Sequence, residues 1–272
     1  MKNFLLGCSI ILLGILTSCE RSIPEPKKEE TDSVKVPIDT LIKPIDSLKM
    51  GLLLYLPFNN SGNDESGNHN DGTKFNISST RDRNGIKNSA YYFNGENSYI
   101  VIDDNQVLRL NNTDFTINLW VNLDEYYPLS GTAILSKNLG AYQNGWNCSV
   151  TGLTHVWGKP GRAFYNVSGG TDPSAMGEKI IELGKWAMMT TVYSLVDQKI
   201  SFYINGELDK VIENMPTPNP ATTADLYLGK NSYASLGGSA PTYLLKGKLD
   251  DIRIYKRKLN MNLIHKLYTL PN

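Results

Sequence analysis

The densest set of oxygen ligands in the chain is the stretch Asn63-Asp64-Glu65-Ser66-Gly67-Asn68-His69-Asn70-Asp71-Gly72. Carboxylates, amides and glycines this close together suit a metal loop, a ligand site, or a polar turn whose side chains bond to their own backbone. An EF-hand is excluded. The twelfth position is Phe75 counted from Asp64 and Ser79 counted from Asn68, so no bidentate Glu closes the loop. A second acidic feature is Leu249-Asp250-Asp251-Ile252-Arg253-Ile254-Tyr255. Alternation turns Ile252 and Ile254 to a core and Arg253 and Tyr255 outward. Asp250, in phase with the isoleucines, is then expected to point inward. A buried charge there needs a partner or a metal, and capping of backbone amides is the simplest partner.

Aromatic residues form a third feature. Tyr126, Tyr127, Tyr142, Trp146, Trp157 and Tyr165 fall between positions 123 and 184, with the amides Gln143, Asn144, Asn147 and Asn166 among them. Sugar rings present C–H faces that stack on aromatic rings, while amides take up hydroxyls. Trp146, Trp157, Tyr142 and Tyr165 are therefore candidate ligand contacts, and the competing use for the same rings is a hydrophobic core. Tyr233 and Tyr243 are lesser candidates. The basic run Lys246, Lys248, Arg253, Lys256, Arg257 and Lys258 is interrupted by Asp250 and Asp251, and a solvated strand edge that resists aggregation accounts for it.

Catalytic signatures are missing from the sequence. There is no Gly-x-Ser-x-Gly elbow, phosphate loop, Gly-x-Gly-x-x-Gly or His-Glu-x-x-His. His69, His155 and His265 are scattered without metal spacing. The 27 basic and 27 acidic side chains balance, which argues against nucleic acid as a partner.

The elements that must carry these residues are short strands. LLLYLPF, SAYYFNG, SYIVID, FTINLWVNL, TAILSK, WNCSVTGL, RAFYNVSG, WAMMTTVYS, KISFYING, DLYLG and GKLDDIRIY are rich in β-branched and aromatic residues and bounded by Gly, Asn, Asp or Pro. Asn205-Gly206 is a two-residue hairpin turn, since both residues accept positive φ. A helical pattern begins only after Asn260, a candidate N-cap ahead of Leu263, Ile264 and Leu267. About a dozen strands over residues 51–272 suit a single two-sheet sandwich.

The start of the chain is processing signal. Lys2 precedes the apolar run Phe4 to Leu16, which at about 1.5 Å per residue is about 20 Å long and falls short of a bilayer core of roughly 30 Å. Leu16-Thr17-Ser18-Cys19 resembles the lipobox of bacterial lipoproteins, which implies removal of 1–18 and acylation of Cys19. Several acyl chains give a stable anchor. Glu20 to Met50, charged and punctuated by prolines 24, 26, 37 and 44, is expected to be a flexible tether, so that 19–50 links the anchor to the domain. Cys8 leaves with the signal and Cys19 carries lipid, so Cys148 is expected to be a lone core thiol.

In their order, GLLLYLPFNNSGNDESGNHNDG, SAYYFNGENSYIVI, FTINLWVNL, KWAMMTTVYS, KISFYINGEL, DLYLGK and GKLDDIRIYKRKLNMNLIHKLY resemble a laminin-G-like, concanavalin A-like jelly roll of the type found in Bacteroidetes surface proteins. The resemblance covers 51–270. It implies an all-β jelly-roll sandwich of two antiparallel sheets with a short C-terminal helix. Related jelly rolls hold a structural Ca²⁺ near the first and last strands through an Asp at the position matching Asp250, with Asp64 and Asn68 as further candidate ligands. The resemblance further implies a carbohydrate-binding module in the cell envelope, anchored to the outer membrane by its lipid. The alternatives are an adhesion module that binds an envelope protein, as some laminin-G domains do, and a glycan-cleaving enzyme with an unfamiliar acid pair. The Glu-x-Asp-x-x-Glu strand of the fold's laminarinase-type members does not occur here.

Overall fold

In Phe115–Leu123, apolar Phe115, Ile117, Leu119, Val121 and Leu123 alternate with Thr116, Asn118, Trp120 and Asn122, yet all nine residues are buried. A strand buried on both faces belongs in the middle of a sheet that is covered on both sides. A computed structural model of the chain places it there. The compact unit that carries the fold spans Pro44–Asn272, and the structure describes residues 46–139, 144–166, 174–218, 222–233 and 242–271. Cys19 and Tyr142 lie outside the described residues.

In chain order the strands are β1 (Leu52–Leu56), β2 (Thr73–Phe75), β3 (Ser78–Thr80), β4 (Ala90–Asn94), β5 (Tyr99–Ile102), β6 (Phe115–Leu123), β7 (Gly131–Asn138) and β8 (Gly145–Thr151). They continue with β9 (Arg162–Asn166), β10 (Ser174–Ile180), β11 (Ala187–Ser194), β12 (Lys199–Ile204), β13 (Glu207–Ile212), β14 (Leu226–Leu228) and β15 (Lys246–Tyr255). Helix α1 (Met261–Thr269) closes the fold, and the Asn260 side chain caps it by accepting from the Leu263 N–H at 3.0 Å. The first sheet runs β13-β12-β11-β6-β15-β4-β3, with β1 also on β15, and the second runs β10-β9-β8-β7-β14-β5-β2. Every pairing is antiparallel. The fold is the expected two-sheet sandwich.

One core fills the space between the sheets, built from alternate residues such as Phe115, Leu119, Val121, Trp146, Tyr165 and Ile252. A second, smaller core lies on the other face of the first sheet. There Trp120, Met188, Val192 and Tyr255 pack under Leu259 and under Ile264 and Leu267 of α1. Leu48 joins it, and Arg257 bonds to the Ser47 carbonyl. The folded unit therefore begins before Gly51, held there by Leu48 and Ser47, while Asp46, Lys49 and Met50 stay exposed. β15 is likewise an interior strand, paired on both sides, which corrects the solvated-edge reading of its basic residues. Arg253 is 7% exposed and bonds Asp251, while Lys246 and Lys258 pair with Glu125 and Asp197.

At the side where the sheets' edge strands meet, the Asp209 carboxylate of β13 accepts from the Glu178 and Lys179 N–H groups of β10 at 3.0 and 2.8 Å. The free amides of that edge are closed by a side chain instead of a further strand. At the start of β8 the backbone approaches β7 so closely that a Cβ on Gly145 (φ 112°) would stand 2.0 Å from the Lys137 carbonyl oxygen. This position requires glycine.

Candidate ligand-binding face

The loop Asn63–Gly72 is spent on the backbone of β1. Asp64 Oδ1 accepts from the Tyr55 and Ser66 N–H groups, both at 2.9 Å, and Oδ2 accepts from the Ser66 hydroxyl at 2.8 Å and the Asn70 N–H at 2.9 Å. Asn68 Nδ2 donates to the Leu52 carbonyl at 3.0 Å, and Asn70 Nδ2 to that of Leu53 at 2.9 Å. β1 has β15 on one side, and the loop's side chains satisfy polar groups on the other. Of the three uses for such a loop, the structure shows the third: a turn that caps a strand edge.

Asp250 is buried, with 1% exposure, but it is not in the phase assigned to it. A bulge falls between Asp250 and Arg253, and Asp251 adopts φ 53°. The extra residue switches the alternation, so Leu249 and Ile252 both face the main core while Asp250 sits opposite Trp120 on the other face. There the Arg83 guanidinium reaches Asp250 at 2.8 Å and Asp251 at 3.4 Å, and lies 4.6 Å from the Trp120 ring centre. Arg253 bonds Asp251 at 2.7 Å and covers the Tyr55 ring at 4.0 Å. Burial, reinforced by the neighbouring Asp251 carboxylate, outweighs Arg83 and pushes the Asp250 carboxyl up to about 8.

These contacts do not fit a Ca²⁺ site. Asp64 is saturated with donors, Asn68 presents its N–H₂ to the backbone, and Asp250 faces a guanidinium where a cation would have to stand. Among the described residues no group of three or more His, Cys, Asp or Glu is placed to hold a metal. Hard cations need six or more oxygens converging on one point.

The acid-pair alternative meets a similar obstacle. Asp250, the carboxyl with the raised pKa, and its neighbour Asp251 are both buried behind arginines and Trp120. An open groove of about 670 Å³ does run between β10, the β12–β13 hairpin and α1, lined by Glu182, Glu207, His265 and Tyr268 among others. Its carboxylates are paired with lysines: Glu207 with Lys179 at 2.9 Å and Glu182 with Lys185 at 2.6 Å. The hydrogen bond from Lys179 holds Glu207 below the usual carboxylate range, opposite to what a general acid requires.

Two of the aromatic candidates are core. Trp146 is 0% exposed, stacks on Tyr165 (6.4 Å, 13°) and donates its indole N–H to the Leu108 carbonyl at 3.0 Å. Tyr165 is also 0% exposed, and burial holds its hydroxyl well above the ordinary tyrosine value. Both are thereby corrected from ligand contacts to packing. Cys148 lies beside them, its thiol pushed up to about 12 by burial, which removes any nucleophilic role.

The same alternation sends the amides outward. On the outer face of the second sheet, Ser174, Asn166, Asn147 and Ser136 form one row across β10, β9, β8 and β7. The Asn166 amide donates to the Ser174 hydroxyl at 2.7 Å. The next row holds Met176, Phe164 and Ser149. Phe164 packs edge-on against His155 (5.0 Å, 67°) and tilted against Trp157 (5.7 Å, 59°). His155 Nδ1 accepts from the Trp157 backbone N–H at 3.2 Å, which orients the imidazole. Trp157 stays 43% exposed. The segment after β14 folds over Ser136, where Ser232 Oγ lies 3.0 Å from the Ser136 hydroxyl and 2.6 Å from Asn138 Oδ1. An exposed indole, a supporting phenyl ring and two half-buried amides therefore share one face. Of the described candidates Trp146, Trp157 and Tyr165, Trp157 is the one that stays accessible.

Sequence reading missed a second aromatic group on this sheet. Phe75, Tyr99 and Tyr227 occupy β2, β5 and β14 with Lys230 beside them. The signal was available, because Tyr99 and Tyr227 are out of phase with the buried Ile100, Ile102, Leu226 and Leu228.

Solved structures share this architecture. The binding domain of Paraclostridial Mosquitocidal Protein 1 aligns with TM-score 0.62 at 18% identity, over 81% of this chain and 52% of that one. Domain 4 of AbnA, a GH43 extracellular arabinanase from Geobacillus stearothermophilus solved in complex with arabinotriose, aligns with TM-score 0.58 at 24% identity, over 80% of this chain and 98% of that one. The binding domain of botulinum neurotoxin DC in complex with SialylT gives TM-score 0.58 at 15% identity, over 82% and 52%. The chain thus spans about half the length of the two toxin binding domains. Among curated proteins none matches it. At these identities the likeness is one of fold. The family match is direct: residues 94–265 match the laminin-G-type family described as the concanavalin A-like lectin/glucanases superfamily, and the chain belongs to that family.

Proposed function

We propose that this chain is a non-catalytic carbohydrate-binding module of the bacterial cell envelope, held to the outer membrane by acyl chains on Cys19. The observation that carries the binding assignment is the outer face of the second sheet, where exposed Trp157 packs against Phe164 and His155 and the Asn147–Asn166 row lies two residues away along β8 and β9. An exposed ring on which a sugar can stack, on a sheet face that also carries polar side chains, is the minimum for glycan recognition. The arabinotriose complex of the arabinanase domain and the SialylT complex of the neurotoxin domain support the choice of ligand class for this fold. The anchor rests on Leu16-Thr17-Ser18-Cys19.

The test is a glycan array probed with the full chain and with Trp157→Ala. Binding by the parent that the variant loses, at unchanged melting temperature, is the expected result. Binding that persists in the variant removes this face from the site, and release of reducing sugar from a bound glycan would overturn the non-catalytic assignment.

A protein partner is the second reading. Leu153 and Val156, close to Trp157 in the chain, are 57% and 82% exposed, and Leu129, whose carbonyl accepts from the Thr154 N–H, is 44% exposed, an apolar group suited to a protein partner. A neurotoxin DC binding domain of the same fold was solved in complex with rat synaptotagmin II. Recovery of an envelope protein by the parent, with loss in Val156→Asp and no glycan bound, would favour that reading.

A further inference from the structure

The groove between β10, the β12–β13 hairpin and α1 has no part in the site above. It opens beside α1, which packs on the outer face of the first sheet, whereas Trp157 sits on that of the second. Local chemistry fixes its walls. Asn205-Gly206 turns the chain between β12 and β13 with φ of 54° and 80°. Asn205 Oδ1 ties that turn to β11 by accepting from the Met188 N–H at 2.9 Å. A Cβ on Gly206 would stand 3.1 Å from Tyr268 Cβ and 3.5 Å from His265 Nδ1, so glycine lets the turn close against the helix. Tyr268 is itself held by stacking on Trp120 at 5.6 Å and 17°. The groove is therefore preformed, and its volume of about 670 Å³ falls within the roughly 300–1,000 Å³ of small-molecule sites.

The lining narrows the ligand class. Its carboxylates are paired, Glu207 with Lys179 at 2.9 Å and Glu182 with Lys185 at 2.6 Å, so they and the Lys179 ammonium offer no open charge to an ionic ligand. A peptide adding to the edge of β10 would need main-chain donors, and those of Glu178 and Lys179 are taken by Asp209 at 3.0 and 2.8 Å. Among the described residues, the Asn205 amide N–H₂, the His265 imidazole and the Tyr268 hydroxyl have no hydrogen-bond partner. Beside them Ile180 is 54% exposed and Tyr268 37% exposed. Single polar side chains on a surface are unremarkable. Here three rigid elements bring donors and acceptors into one concavity, next to apolar surface. That combination suits a ligand with hydroxyls on its rim and C–H groups on its face, which describes a neutral sugar.

We propose that this groove is a second carbohydrate site, in which a neutral sugar unit packs against Tyr268 and Ile180 and bonds to Asn205 Nδ2 and His265. It uses no residue of the Trp157 face, and two sites on one chain hold a polysaccharide at two points.

The chain's three histidines report on three places separately: His265 in the groove, His155 against Trp157, and His69 in the Asn63–Gly72 loop. The test follows their imidazole resonances by NMR while the full chain is titrated with neutral oligomers of arabinose, galactose, glucose and mannose. His265→Gln and His155→Gln assign the signals. At least one oligomer is expected to shift His265 saturably, in the parent and in Trp157→Ala, and to leave His69 unmoved. Asn205→Asp keeps the Oδ1 acceptor and the turn but removes the amide donor. It is expected to weaken the His265 response about fivefold to tenfold at unchanged melting temperature. Ile180→Ala, at an exposed position, removes part of the apolar wall and is expected to weaken the response as well. A His265 signal that no oligomer moves, or one whose affinity both variants leave at the parental value, overturns the groove site. If His155 alone responds, the groove falls and the Trp157 reading stands. If His265 alone responds, the reverse holds, and if neither responds both fall.

Discussion

Replacing Trp146 and Trp157 in turn by alanine separates packing from recognition. Trp146 is fully enclosed between the sheets against Tyr165, and its N–H serves the Leu108 carbonyl. Burying roughly 200 Å² of indole at about 25 cal/mol per Å² gives about 5 kcal/mol, near the upper end of the roughly 3–5 kcal/mol seen for large aromatics replaced by alanine in cores. A domain of this size loses about 2–4 °C of melting temperature per kcal/mol, so Trp146→Ala is expected to melt about 10–20 °C below the parent. Trp157 is 43% exposed on a loop and leaves no enclosed cavity, so its loss costs about 1 kcal/mol or less. Thermal melts by far-ultraviolet circular dichroism and urea titration report both changes, and Trp146→Phe separates volume from the hydrogen bond at a cost of about 1–2 kcal/mol. The reasoning fails if Trp146→Ala keeps near-parental stability while losing glycan binding. It fails equally if Trp157→Ala destabilises as much as Trp146→Ala.

Three further outcomes follow from the structure. The folded Asp250 carboxyl titrates at about 8 against an ordinary value of about 3.9 in the unfolded chain, so the folded state holds a proton that the unfolded state releases. Its contribution to stability is full below about pH 4 and is lost as pH rises toward 8. The parent's melting temperature should fall relative to Asp250→Asn over that window, and parallel curves would contradict the assignment. Calcium chelation is expected to leave the melting temperature unchanged, because Asp64 and Asp250 already have protein partners. A drop reversed by added Ca²⁺ would refute that occupancy. Finally, Cys19→Ala should move the protein from the membrane fraction to the soluble fraction, and unchanged fractionation would exclude lipid anchoring through that residue.

Much of the fold was legible because strands write a period of two. In Trp146-Asn147-Cys148-Ser149-Val150 the apolar phase alone separates core from surface, and that phase by itself assigns Trp146 to the core. Asn260 as a helix cap and Asn205-Gly206 as a hairpin turn were equally local, set by side-chain and backbone preferences within a few residues. Tertiary structure decided what depends on partners far away in the chain. The bulge at Asp251 reverses the phase of Asp250 without any mark in the hydrophobic pattern, since a single inserted residue leaves Leu249, Ile252 and Ile254 all apolar. That Asn63–Gly72 caps β1 follows from β1 having a neighbour on one side only, a property of sheet order and not of the loop. Residues 46–50 look like linker by composition and are folded because α1, more than 200 positions later, offers Leu48 a second core. The outward amides were written in the alternation, but that Trp157 folds onto Phe164 of the same face was set by the tertiary packing of the β8–β9 connection on the second sheet.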